Sequence, residues 1–130
     1  MSEIITDKLT GKTSAGDVTI TSEGGAVTMQ LQQGVAKVWT NFDGSGTISI
    51  RDGNNAASLL DSGTGLYSVN YTNNMANDDY ATNVSNIIQN SQINGTSGYL
   101  TSSVALRFRN SSFSNTDSAL VAVSVQGDLA

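Results

Sequence analysis

Apolar and polar residues alternate in short segments along most of the chain, which is the period of two that β-strands require. From residue 36 onward, six such segments follow one another, separated by Gly, Asn, Asp and Ser. Their alternation assigns to the inner faces Val38, Thr40, Phe42, Ile48, Ile50, Tyr67, Val69, Tyr71, Val104, Leu106, Phe108, Val121, Val123 and Val125. The pattern predicts an all-β fold, an antiparallel β-sandwich of six to eight strands with a jelly-roll-like arrangement.

Residues 1–35 are predicted to form an extended N-terminal strand arm, separate from a sandwich domain of residues 36–130. Val18 and Ile20 share one face of a short strand, and Val27, Met29 and Leu31 share one face of the next. Two short strands cannot bury much apolar surface by themselves. We therefore expect these five residues to form an interface for oligomerisation or attachment.

The composition argues against most kinds of catalytic site. The chain has no histidine and no cysteine, so the usual general base and the usual transition-metal ligands are missing. Asp78 and Asp79 are adjacent, but neighbours on a strand point to opposite faces and would not share a proton. We expect a protein that is not an enzyme and that uses no cofactor and no metal.

The charge and hydropathy of the chain also exclude some partners. The formal net charge is −5 with six basic residues, which does not fit a nucleic-acid-binding surface. No apolar run approaches the length needed for membrane insertion. The first residues lack the apolar stretch of a secretory signal, so we expect synthesis in a cytoplasm.

The stretch DGSG, residues 43–46, permits two interpretations. Its Asp and Gly residues suit a tight hairpin turn, because glycine tolerates positive φ. Alternatively, Asp43, Ser45 and Thr47 could imitate alternate ligands of a calcium loop. Such a loop needs a bidentate Glu at its twelfth position, where this chain has Asn54. The hairpin is therefore the prediction.

Three further residues are candidates for surface or interface contacts. Trp39 is the single tryptophan, and an indole can stack on a sugar or anchor a protein interface. Arg107 and Arg109 lie two apart on a predicted strand and so project from one face. They could bind a carboxylate, a phosphate or an acidic sugar, or pair with Asp or Glu across a subunit interface.

Five fragments in the middle of the chain resemble a recurrent module in structural proteins of tailed bacteriophages, especially marine and cyanobacterial ones. The fragments are an Ala-Lys-x-Trp-x-Asn-Phe opening, a Gly-Thr-x-x-Ile-Arg hairpin, a Ser-x-x-Asp-x-Gly-Thr-Gly turn, a Tyr-x-Val-Asn strand and a Met-to-Asp-Tyr-Ala ending. They occupy Ala36–Gly44, Gly46–Arg51, Ser58–Gly65, Tyr67–Tyr71 and Met75–Ala81. The order and spacing of these fragments carry the resemblance.

The resemblance implies a virion component without catalytic residues, built as a homotrimer of interlocking β-elements. The implied function is a tail-fibre or tail-tip appendage that faces the host surface. The alternatives are a capsid decoration (cement) protein that stabilises the phage head and a bacterial carbohydrate-binding adhesin module. The expected partners are other virion proteins of the tail or capsid, with a host-surface glycan as a further candidate.

Overall fold

The structure, a computed structural model, describes residues 3–12, 18–21, 24–25, 27–87, 90–93 and 98–130. The chain divides into two compact units, Met1–Val35 and Ala36–Ala130. The first unit contains a small hairpin and the second contains two larger sheets. Each unit is described separately below.

The first unit contains an antiparallel hairpin of β1 (Thr19–Thr21) and β2 (Thr28–Gln30). Ile20 lies opposite Met29 in this pair, so both side chains project from the same face. The backbone N–H of Leu31 donates to the carbonyl of Val18 at 2.7 Å, which extends the pairing by one position. A single 3-10 turn, Gln32–Gly34, follows the hairpin.

The described residues of the second unit form nine strands in two antiparallel sheets. The strands are β3 (Val38–Asp43), β4 (Ser49–Asn54), β5 (Ala56–Gly63), β6 (Leu66–Tyr71), β7 (Ala81–Asn86), β8 (Asn90–Ile93), β9 (Tyr99–Leu100), β10 (Ser103–Arg109) and β11 (Val121–Gln126). One sheet has the order β4-β3-β11-β7, and the other has the order β5-β6-β10-β8. The short β9 pairs with β10 beside β8.

The two sheets pack as a sandwich around one apolar layer. The inner faces of β3, β6, β10 and β11 supply most of the core, as the alternation predicted. The buried apolar residues are Val38, Phe42, Tyr67, Val69, Tyr71, Met75, Tyr80, Val104, Leu106, Phe108, Val121, Val123 and Val125. The prediction of an all-β antiparallel sandwich is confirmed.

A buried tyrosine fixes one end of the sandwich. The hydroxyl of Tyr67 lies 2.6 Å from a carboxylate oxygen of Asp117 and also contacts the carbonyl of Gly44. The same Asp117 oxygen accepts a hydrogen bond from the backbone N–H of Gly65 at 2.7 Å. The backbone N–H of Gly44 donates to the carbonyl of Ser118 at 2.9 Å. These bonds hold together the turns that follow β3, β5 and β10.

Two details differ from the sequence-based expectations. Residues Ser58–Gly65 were expected to be a turn, but most of them lie in β5, and the turn itself is limited to residues 64–65. β5 is an edge strand with small and polar residues, so no alternation marks it. Lys37 takes an outward position in the alternation of AKVWTNF, yet it is buried; its backbone N–H donates to the carbonyl of Val125 just before β3 begins.

Two glycines with almost the same backbone conformation provide a stability test. Gly65 has φ +66°, and a Cβ there would lie 2.6 Å from the carbonyl oxygen of Phe108; Gly46 has φ +60° and open space around it. We expect Gly46→Ala to lower the free energy of unfolding by about 1 kcal/mol, because of the left-handed backbone alone. Gly65→Ala adds a backbone clash and should lose at least about 3 kcal/mol.

Urea unfolding followed by far-ultraviolet circular dichroism measures both values, with the unchanged protein as the reference. Equal losses in the two variants would contradict the close approach of β10 to Gly65.

Candidate functional site

The residues that the structure describes include no candidate metal-binding cluster and no candidate membrane-spanning helix. Within residues 3–12, 18–21, 24–25, 27–87, 90–93 and 98–130, no group of three or more His, Cys, Asp and Glu could hold a metal ion. In the same part of the chain, no helix has the length and apolar character needed to cross a membrane.

The DGSG stretch forms the hairpin between β3 and β4, and its carboxylate is already used within the turn. One oxygen of Asp43 accepts hydrogen bonds from the hydroxyl of Ser45 at 2.6 Å and from its backbone N–H at 2.9 Å. The other oxygen pairs with Arg51 at 2.8 Å. The bonds from Ser45, and then the Arg51 charge, lower the pKa of Asp43. The stretch is the hairpin turn that the sequence predicted.

The outer face of the four-stranded sheet carries a row of side chains around Trp39. The register places Asn54, Trp39, Ser124 and Asn83 side by side on the four adjacent strands β4, β3, β11 and β7. Cross-strand partners of this kind project from the same face. Trp39 is 40% exposed, so a large part of the indole is open to solvent. This set of residues is called the Trp39 face.

A shallow groove lies between β7 and β11, and it includes Ser124 and Asn83 of the Trp39 face. Its volume is about 240 Å³, and it is lined by Asn83, Val84, Ser85, Ala122, Val123 and Ser124. At its edge, the amide nitrogen of Asn83 donates to Gln126 at 3.2 Å, and the amide nitrogen of Gln126 donates to the Ser124 hydroxyl at 3.2 Å. The lining residues are uncharged, and the one amide among them, Asn83, bonds to Gln126.

Arg107 and Arg109 lie on the outer face of the five-stranded sheet, where β10 runs between β6 and β8. Both residues are half-buried. Their Nε atoms are buried and make no hydrogen bond within the described structure. The structure thus brings the two arginines to one face, as their spacing predicted, but it places Trp39 on the other sheet.

The five apolar residues of the arm remain accessible. Ile20 is 45% exposed, Met29 52% and Val27 66%, whereas Val18 and Leu31 are half-buried. Thr19, Thr21, Thr28 and Gln30 alternate with them and take the opposite face of the hairpin. Among its described residues, the first unit therefore has an apolar face on which Ile20, Val27 and Met29 are exposed; it is called the arm face below.

The tyrosines form part of the core and do not line a groove. Tyr67, Tyr71 and Tyr80 are buried, and the hydroxyl of Tyr80 donates to the carbonyl of Ser103 at 2.8 Å. Burial raises the pKa of all three phenols, and the nearby Asp117 raises that of Tyr67 further. These groups therefore release their protons at a higher pH in the native state than in the unfolded chain.

Phe113 is a surface residue that the sequence pattern did not single out. It has φ +59° and is 70% exposed, at the tip of the loop after β10. The side-chain oxygen of Asn110 accepts hydrogen bonds from the backbone of Ser112 at 3.0 Å and of Ser114 at 3.1 Å. A positive φ is uncommon for a bulky residue, and nothing in the sequence NSSFSN marks it.

Comparisons with known proteins do not assign the chain to a family. No protein-family model matches the chain, and no curated protein or solved structure resembles it significantly.

The buried phenols predict a loss of stability at alkaline pH. Above the ordinary phenol pKa of 10.0, the unfolded chain releases protons that the native state retains, so rising pH favours unfolding. Each of the three groups can lower the free energy of unfolding by up to about 1.4 kcal/mol per pH unit. Urea unfolding between about pH 9 and pH 11.5 measures this slope.

Replacement of a single phenol tests the assignment. Tyr67→Phe should lower stability at neutral pH, because it leaves Asp117 with one donor fewer, and should flatten the alkaline slope by about one third. Phe42→Leu is the control, because it perturbs the same core and removes no ionisable group. If Tyr67→Phe leaves the alkaline slope of the free energy of unfolding unchanged, the phenol of Tyr67 titrates normally.

Proposed function

We propose that the chain is a structural component of a bacteriophage virion, a tail appendage that assembles as a homotrimer and presents its sandwich to the host surface. The resemblance of Ala36–Ala81 to phage structural modules supports the class of protein. The observation that supports this assembly mechanism is the exposure of apolar residues on the arm face of one chain.

The arm face needs a partner because a two-stranded hairpin is at best marginally stable alone. Full burial of an aliphatic side chain contributes about 1.5–3 kcal/mol relative to exposure. Ile20, Val27 and Met29 are about half exposed, and Val18 and Leu31 are less exposed, so these side chains offer about 4 kcal/mol per copy. Association itself costs an estimated 4–15 kcal/mol, so the arms need additional contacts from elsewhere in the chain.

Other copies of the same chain are the proposed occupants of the arm face. Each copy brings the same apolar stripe, and within the described residues β1 and β2 pair with each other as a two-stranded sheet. A closed threefold arrangement can cover the stripe of each copy and shield the edges from further pairing. A face composed of Val, Ile, Met and Leu carries no charge that would oppose the contact.

Arg107 and Arg109 are candidates for the additional contacts. A buried N–H without an acceptor costs about 1–3 kcal/mol, and each of these guanidinium groups has such an atom. The chain is acidic, with 11 Asp and Glu against 6 Lys and Arg. A carboxylate from a neighbouring subunit would satisfy both the charge and the orphaned donors.

A pair of substitutions in the full-length chain tests the assembly. Ile20→Thr with Met29→Gln gives the arm face the residue types of the opposite face and keeps the cross-strand pair. We expect the unchanged protein to sediment as a trimer and the variant to dissociate at concentrations at least tenfold higher, while the near-ultraviolet circular dichroism of the sandwich stays the same.

Thr21→Val with Thr28→Val is the matched control, because this pair lies on the other face of the same hairpin. It should leave the sedimentation coefficient unchanged. A monomeric full-length protein, or equal effects of the two double variants, would overturn the proposed role of the arm. Binding of the trimer to empty phage heads at fixed stoichiometry would favour the capsid decoration alternative over a tail appendage.

A further inference from the structure

We propose that the Trp39 face binds a neutral oligosaccharide. The inference deepens the proposed function and rests on it for its biological setting, since a tail appendage that meets a bacterial surface meets polysaccharide. The binding itself depends on one chain, because the residues concerned all lie on one sheet. Its test is therefore independent of the trimer.

The indole of Trp39 supplies the stacking surface. It lies in the middle of a flat polar sheet face, between Asn54 on one side and Ser124 on the other. Large aromatic side chains bury most of their area in cores and interfaces, yet this one is 40% exposed. The apolar C–H face of a pyranose ring matches an indole ring in both size and polarity.

Side-chain amides on both sides of the indole supply hydrogen bonds for sugar hydroxyls. Asn54 and Asn83 end the row that contains Trp39, and Asn41 lies two residues along β3 on the same face. Among the residues that the structure describes, the side chains of Asn41 and Asn54 make no hydrogen bond. An amide offers both a donor and an acceptor, which is what a hydroxyl group requires.

The dimensions of the face fit several sugar units rather than one. Adjacent strands lie about 4.8 Å apart, so the row from Asn54 to Asn83 spans about 14 Å. The groove of about 240 Å³ continues this row past Ser124 toward β7. Its floor residues, Ser85, Ala122 and Ser124, are small enough to let a ring approach the sheet.

The charges on this face select a neutral ligand. The charged residues on β3 and β4 are Asp43, Arg51 and Asp52, and Asp43 is paired with Arg51 at 2.8 Å. Lys37, two residues before Trp39, is buried. No basic side chain lies in the groove. Arg107 and Arg109, which would suit an acidic sugar, are on the other sheet.

Fluorescence provides a direct test, because Trp39 is the single tryptophan. The probes are neutral gluco-, manno- and galacto-oligosaccharides, titrated into the full-length protein, together with an array of neutral and acidic bacterial glycans. We expect a saturable change in the Trp39 emission with at least one neutral probe, and reduced quenching by acrylamide in the bound state.

Matched variants locate the site. Asn83→Ala and Asn41→Ala should each weaken binding at least fivefold, and Trp39→Ala, measured by calorimetry, should abolish it. Asn70→Ala, on the outer face of the other sheet, is the control and should bind as the unchanged protein does. Ile20→Thr with Met29→Gln should also leave the affinity unchanged, so failure of the trimer would not mask this result.

Several results would overturn the saccharide site. One is the absence of saturable binding to every neutral glycan tested. Another is binding to acidic glycans alone, which Arg107→Ala would then remove. A third is quenching of Trp39 by acrylamide only after the trimer dissociates. That result would make the Trp39 face a subunit interface.

Discussion

Alternate side chains of four central strands meet in one apolar layer, and the rest of the sandwich depends on that contact. β3 and β11 contribute from one sheet, and β6 and β10 contribute from the other. Because the core needs only every second residue of these strands, their outward residues take no part in holding the sheets together. The outer faces can therefore be polar, carry an exposed indole or hold arginines without weakening the fold.

Much of this layer could be predicted from the sequence, because burial on one face of a strand leaves a period of two. The alternation in AKVWTNF, LYSVNY, SSVALRFR and LVAVSV identified the inner residues of all four central strands. β5 was missed because an edge strand packs little against the core: Leu59 is half-buried, its neighbour Leu60 is exposed, and the other residues of the strand are small or polar. Its pairing with β6 maintains it, and pairing leaves no mark in a single sequence.

The candidate surfaces were predictable only in part, and for the same reason. Alternation places Trp39 with Asn41 and Arg107 with Arg109, since each pair lies on one strand. The neighbours of Trp39 across the sheet, Ser124 and Asn83, depend on the register of strands far apart in the chain. Register follows from hydrogen bonding and turn geometry together. A sequence can therefore nominate an exposed residue without naming its companions.

The four sheet edges are protected unequally. The register between β3 and β4 shifts once, and β4 carries Arg51 and Asp52. The register between β5 and β6 shifts twice. β8 has four residues. β7 offers six residues, without a charge and in unbroken register with β11. Edges that are irregular, charged or short are poor templates for the addition of a further strand. Three of the four edges therefore disfavour the edge-to-edge pairing by which β-proteins form fibres.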